Sequence, residues 1–294
     1  MKFLLAQINP VVGDLEGNAK KILYAASKAS SNSADLVLTP ELSLWGYPAN
    51  DLLLKKNLIK NQYQILDQLA LDINKKYGNL SITVGIAEII NDSFFPNLYN
   101  SIALLERGEW KIIARKIILP TYEVFDEKRY FRSEEKVSVL TKEIHNKTWR
   151  IGFTICEDLW VNKNIEGRGI HKKNPISDLK KKKVDILVNL SASPYTFKKL
   201  ELRSKVSSFA AQYLQVPLIY VNQIGANDNL IFDGNSFILD KNGSKIKQLK
   251  SFSEDLSSWH IEQTIPEKKE FEQSEISSIF DALVLGVRDY AQKC

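Results

Sequence analysis

The chain has 294 residues, 44% hydrophobic and 26% charged, a composition that permits a sizeable buried core and argues against a disordered or fibrous protein. With 40 basic and 35 acidic residues the net charge is +5 and both signs are interspersed, so the strong basic stripe of a nucleic-acid surface is not expected. Two cysteines, Cys156 in mid-chain and Cys294 at the end, exclude a disulfide framework or a cysteine-rich metal cluster and suit a reducing cytoplasm.

The first ten residues turn polar too early for a signal peptide, and no window holds the roughly 18 apolar residues that span a bilayer. A cytoplasmic protein with no membrane segment is expected. In chain order, Lys2–Asn9 reads as a strand, and residues 18–31 read as a helix with Ile22, Leu23, Ala25, Ala26 and Ala29 on one face. Asp35–Thr39 is a short apolar run of buried-strand type that ends at Pro40-Glu41. Residues 51–76 read as helical and Ser81–Ile89 as a strand. Asn100–Glu106 and Trp110–Lys116 flank Arg107-Gly108, a hairpin signal. Trp149–Ile155 runs straight into Cys156. Val184–Leu190 and Pro217–Asn222 are strands around a helix at Lys199–Leu214, and the basic run Lys180–Lys183 suits a helix C-terminus. Phe232–Asp240 and Ser244–Leu249 flank Asn242-Gly243, a two-residue turn signal. After the charged stretch 267–275, Ile276, Ile279, Phe280, Leu283, Val284, Val287 and Tyr290 follow helical spacing. An apolar last helix of this kind points to an oligomer contact or a continuation. Alternating helices and strands with added hairpins fit a mixed sheet covered by helices.

Three residues stand where strands end. Cys156 closes an apolar strand and precedes Glu157-Asp158, a helix-start pattern whose free N–H groups favour a thiolate. Glu41 follows a buried strand, the end of a parallel sheet at which sites gather. Lys116 closes the second arm of the hairpin. Each has a plain alternative: a buried structural cysteine, a loop glutamate, and an edge-strand lysine that discourages aggregation. Together they make chemical sense. A thiol needs a base, a glutamate lifted toward neutrality by burial can serve, and a fixed cation can hold an oxyanion. Histidine is the commoner base, but His145, His171 and His260 sit in no strong motif.

The order Glu, Lys, Cys, each at its own strand end, resembles the nitrilase superfamily. The resemblance narrows to the glutaminase domains of glutamine-dependent NAD+ synthetases through blocks spread over nearly the whole chain. They are Ala6-Gln7-Ile8-Asn9-Pro10, Pro40-Glu41-Leu42 with Gly46-Tyr47-Pro48, Leu98-Tyr99-Asn100-Ser101, and Leu119-Pro120-Thr121-Tyr122 followed by Val124-Phe125-Asp126-Glu127-Lys128-Arg129-Tyr130-Phe131. Ile155-Cys156-Glu157-Asp158-Leu159-Trp160, Asn189-Leu190-Ser191-Ala192-Ser193-Pro194-Tyr195 and Phe232-Asp233-Gly234-Asn235-Ser236 complete them.

The resemblance implies an α/β fold, a four-layer α-β-β-α sandwich, and hydrolysis of glutamine through a cysteine thioester. Cys156 is the implied nucleophile, Glu41 the base and Lys116 the cation. Tyr122, Ser193 and Lys199 match positions that hold glutamine; Glu127 is a supporting glutamate, and the backbone N–H of Glu157 is an oxyanion donor. No metal or organic cofactor is implied for this step; ATP and magnesium belong to a synthetase domain that residues 1–294 lack. Residues 1–272 correspond to the glutaminase domain, and residues 273–294 to a helix entering the synthetase domain, the expected partner within a parent chain. A homo-oligomer is also implied. The sequence departs from the family pattern at Glu123 and across Gly225-Ala226-Asn227-Asp228-Asn229, which touches loop shape and domain coupling. Other readings are a stand-alone amidase or carbamoylase of the superfamily, or a catalytically silent regulatory domain.

Overall fold

A computed structural model describes residues 1–92, 94–161, 173–263 and 274–293. Cys294, His171, most of the charged stretch 267–275 and the expected boundary between residues 272 and 273 lie outside the described residues.

Two six-stranded sheets form the body. The first contains β1 (Lys2–Gln7), β2 (Leu36–Leu38), β3 (Ser81–Ile89), β4 (Leu98–Glu106) and β5 (Glu109–Arg115). The second contains β6 (Ser138–Ile144), β7 (Lys147–Ile155), β8 (Ile186–Ser191) and β9 (Leu218–Asn222). Then follow β10 (Ile224–Asn227), β11 (Leu230–Asp233), β12 (Phe237–Leu239), β13 (Lys245–Gln248) and β14 (Asp255–His260). The sheet orders are β14-β1-β2-β3-β4-β5 and β13-β12-β9-β8-β7-β6, with β10 and β11 as a separate pair. Each large sheet has a parallel centre, β1-β2-β3 or β7-β8-β9, flanked by antiparallel strands. The helices are α1 (Leu15–Ser31), α2 (Lys56–Tyr77), α3 (Pro175–Lys181), α4 (Lys199–Leu214) and α5 (Glu275–Lys293).

Alternation along the strands explains the layering. Phe3 and Leu5 of β1 face Ile151, Phe153, Val188 and Ile219 in the space between the sheets. Leu4 and Ala6 turn the other way, onto Ile22 and Ala26 of α1 and the α2 face. In the second sheet Leu187, Leu218 and Tyr220 point outward onto Leu179 of α3 and Val206 of α4. Central strands are therefore apolar on both faces, and the architecture is the four-layer α-β-β-α sandwich implied by the resemblance. The periodicity alone reads as one mixed sheet; the second sheet is a correction to that reading.

Several element bounds differ from the sequence reading for visible reasons. The first helix begins at Leu15 because the Asp14 carboxylate caps it, accepting from Gly17 N at 2.9 Å. The helical stretch 51–76 divides into a 3-10 turn at Asn50–Leu54 and α2. The run 232–240 is not one strand. Gly234 (φ +65°) and Asn235 (φ +53°) turn the chain between β11 and β12. Arg107-Gly108 is a two-residue hairpin with both residues at positive φ, and Glu106 pairs with Glu109. Asn242-Gly243 is not: Leu239 pairs with Lys245, and the Asp240 carboxylate accepts from Asn242 N and Ser244 N at 2.9 and 2.7 Å, holding a longer loop. The edge strands β6 and β14 carry too much polarity to be read from sequence.

The last helix packs inward through Ala282, Leu285 and Asp289. Asp289 accepts from Asn9 Nδ2 and Ala226 N, both at 2.8 Å, which fastens α5 to β10. Its other side leaves Ile276, Phe280, Leu283, Val287 and Tyr290 more than half exposed. No described helix is long and apolar enough to cross a membrane.

Candidate active site

Glu41 is placed by a close crossing. After β2 the segment Pro40-Glu41-Leu42 lies directly against β3 at Gly85, where a Cβ would stand 2.2 Å from Leu42 N and 2.7 Å from Pro40 O. Gly85 N–H donates to Ser43 Oγ at 2.9 Å, and Leu44 N–H donates to Gly85 O at 3.1 Å. The turn so held buries the Glu41 carboxylate. Its Oε1 accepts from Lys116 Nζ at 2.6 Å and Asn100 Nδ2 at 2.7 Å; its Oε2 accepts from Ala192 N at 2.9 Å, just beyond β8.

Lys116 follows β5, and its backbone N–H donates to Asn100 O at 2.8 Å. The side chain is fully buried. Its ammonium reaches Glu127 Oε1 at 2.7 Å as well as Glu41. Burial works against that charge, yet the Glu127 and Glu41 carboxylates hold the ammonium well above its ordinary value. Glu127 comes from a 3-10 turn at Glu127–Arg129 and also accepts from Tyr47 Oη at 2.8 Å. Burial lifts its carboxyl to about 7 against the pull of Lys116, and the neighbouring Glu41 adds to the rise.

Cys156 begins a 3-10 turn, Cys156–Leu159, at the end of β7, with the unusual φ of +46°. Asn189 Nδ2 on β8 donates to Thr154 Oγ1 at 3.0 Å and to Cys156 O at 3.3 Å, bracing the turn. Burial, then the Glu41 carboxylate, hold the thiol well above its ordinary value, with the Lys116 cation opposing them. The resting group is therefore a thiol, which corrects the expectation of a thiolate favoured by a helix start. A single 3-10 turn carries little dipole, and desolvation dominates here. The charges of Glu41, Lys116, Glu157 and Glu127 all act on this thiol.

The other expected residues neighbour the segments that carry this site. Tyr122 Oη donates to Glu157 Oε2 at 2.9 Å. The Lys199 ammonium lies 5.2 Å from the Trp160 ring centroid, where the Cys156 turn ends. Ser193 follows Ala192; its N–H donates to Asn222 Oδ1 at 2.9 Å, and it is almost wholly buried. Sequence reasoning gave no role to Tyr47, Asn100, Asn189 or Gly85. Tyr47, Asn100 and Asn189 sit in the motif blocks quoted above, but their partners are set by chain crossings that spacing does not encode.

Such a site can deprotonate a thiol with a carboxylate and hold a developing oxyanion beside an ammonium. Fold and site together define a hydrolase of carbon–nitrogen bonds, and residues 5–269 match the carbon-nitrogen hydrolase family, to which the chain belongs. It is 41% identical over 99% of its length to the glutamine-dependent NAD(+) synthetase of Synechocystis sp., covering 52% of that protein. A solved glutamine-dependent NAD+ synthetase from Acinetobacter baumannii superposes with a TM-score of 0.85 at 33% identity, over 99% of this chain and 52% of the other. The chain spans about half the length of these relatives. An amidase of the nitrilase superfamily from Nesterenkonia superposes with a TM-score of 0.70 at 19% identity, covering 88% of this chain and 89% of that one, and supports the fold alone.

Proposed function

We propose that the chain hydrolyses the side-chain amide of glutamine through a thioester on Cys156. It acts as the ammonia-supplying half of a glutamine-dependent NAD+ synthetase. The observation that carries this reading is the buried Lys116 ammonium, fixed between the Glu41 and Glu127 carboxylates, with all three charges acting on the buried Cys156 thiol.

Glu41 takes the thiol proton as sulfur attacks the carboxamide carbon. The oxyanion that forms is held by Lys116 and the backbone N–H of Glu157. The C–N bond breaks, the proton on Glu41 passes to nitrogen, and ammonia leaves. Water then gives a proton to Glu41 and attacks the thioester. Glutamate departs as that proton returns to sulfur. Tyr122, Ser193 and Lys199 offer two hydroxyls and an ammonium to the amino-acid end of glutamine.

In the longer relatives the second half would receive the ammonia at adenylated nicotinic acid adenine dinucleotide. ATP and magnesium would act there, so no residue of this chain is assigned to them. The apolar outer stripe of α5 offers that half a surface.

The deciding experiment compares ammonia release from glutamine by the wild type and the Cys156→Ala variant. Wild-type release that disappears in the variant supports the reading. Undiminished release from a folded variant refutes the nucleophile. A panel of simple amides and carbamoyl compounds alongside glutamine separates the glutaminase from a stand-alone amidase or carbamoylase.

A further inference from the structure

One buried carboxylate near the site has no place in the scheme above. Asp158 is 1% exposed. Its Oδ1 accepts from Ile117 N at 3.0 Å and Ile118 N at 2.7 Å, and its Oδ2 accepts from Ile155 N at 3.0 Å. Ile117 and Ile118 come directly after Lys116, and Ile155 comes directly before Cys156. The three donors belong to two segments about 40 residues apart in sequence, one leaving each sheet.

We propose that Asp158 is a positioning residue: one rigid carboxylate fixes the backbone that carries the Lys116 cation relative to the backbone that carries the Cys156 sulfur. The two segments leave different sheets, so ladder hydrogen bonds within either sheet do not set their separation. Cys156 also sits at a positive φ that a non-glycine residue keeps only when its surroundings hold it. The bond from Ile155 N to a side chain two residues past the sulfur closes the Cys156 turn. The other two bonds tie that closed turn to the exit of β5. Asp158 thereby sets where the oxyanion lies relative to the ammonium. It touches neither Tyr122, Ser193 nor Lys199 through these bonds, so it acts on the chemical step and not on capture of the substrate. This inference rests on the thioester reading.

The test is Asp158→Asn, which keeps shape and size but sets an amide NH2 against the N–H donors of one segment and leaves the oxygen to those of the other. Turnover of glutamine is expected to fall about 100-fold, as for a displacement near 1 Å at a reacting centre, with KM within threefold of wild type. Labelling of Cys156 by iodoacetamide should change rate in the same variant. Leu66→Val in the α2 core, chosen to match any loss of thermal stability, should keep wild-type turnover. Turnover of Asp158→Asn equal to that control, or a loss confined to KM, overturns the proposal. If Asp158→Asn does not fold, replacing Ile118 by its α-hydroxy acid deletes a single N–H donor and keeps every side chain. A fall of about tenfold in turnover then supports the strut, and an unchanged rate overturns it. Retained ammonia release by Cys156→Ala would instead overturn the thioester reading itself, so the two failures are distinct.

Discussion

Gly85→Ala tests how the fold places the base. The added Cβ would stand 2.2 Å from Leu42 N, 2.7 Å from Pro40 O and 2.8 Å from Ser43 N. All three are backbone atoms, so no side chain can swing aside. Ordinary contact begins near 3.4 Å, and 3.4 − 2.2 gives about 1.2 Å of forced movement between β3 and the turn that carries Glu41. Overpacking of this kind costs about 1–3 kcal/mol. At roughly 2–4 °C per kcal/mol for a chain of this size, the melting midpoint should drop by roughly 2–12 °C. A shift near 1 Å at a catalytic carboxylate lowers turnover by about 100-fold. Differential scanning calorimetry reads the first effect and ammonia release from glutamine the second. Gly78→Ala is the control: its φ is positive, +60°, unlike that of Gly85, but nothing lies within 4 Å of its Cβ. That substitution should cost about 1 kcal/mol and leave turnover alone. A Gly85→Ala protein with wild-type midpoint and wild-type turnover would refute the reasoning.

Lys116→Met should be worse than the loss of one interaction. It leaves the Glu41 and Glu127 carboxylates buried without their shared cation, a change worth roughly 3–5 kcal/mol in a urea unfolding curve and at least about 100-fold in turnover; an unchanged unfolding midpoint would count against the cation's role. Glu127→Gln should alter the dependence of stability on pH. The folded carboxyl, lifted to about 7 by burial, lies above its ordinary 4.5, so its contribution is full below about 4.5 and is lost as pH rises through about 7. The variant should show a shallower fall of stability across that window in unfolding curves taken at each pH. Asp158, raised to about 7 by burial, keeps its own share of the slope. An identical slope in wild type and variant would show that Glu127 does not titrate there.

The central strands and the positions of Glu41, Lys116 and Cys156 at strand ends were legible because apolar runs and their abrupt ends are local signals. Lys199–Leu214 was read to the residue as a helix. The division into two sheets was not legible from periodicity. A strand covered on both faces reads the same whether a helix or another sheet lies against it, so only the resemblance supplied the second sheet. The edge strands β6 and β14 were missed because they are short of apolar residues. Asp255–His260 offers Leu256 and Trp259, and its place is fixed by pairing with β1 and by Trp259 stacking on Phe3 at 6.0 Å. In the site, Glu41, Lys116 and Cys156 could be named from their strand ends. Tyr47, Asn100 and Asn189 could not, because their roles arise where distant segments cross.

The resting state of the sulfur follows from the balance of charges around it. A free thiolate would have to exist in a buried site under the influence of the Glu41 carboxylate, and Lys116 is a weak counterweight because two carboxylates already share it. Losing the proton to solvent would place a second negative charge where burial already penalises one. In the proposed scheme, proton transfer to Glu41 in step with attack on the amide carbon avoids that state. Negative charge then leaves Glu41 and appears on the substrate oxygen, within reach of the same ammonium. Lys116 need not move for this, since its bonds to Glu41 and Glu127 fix it before substrate arrives. The buried cluster is thus matched to an amide that brings its own oxygen to the cation, and poorly matched to a free-standing thiolate.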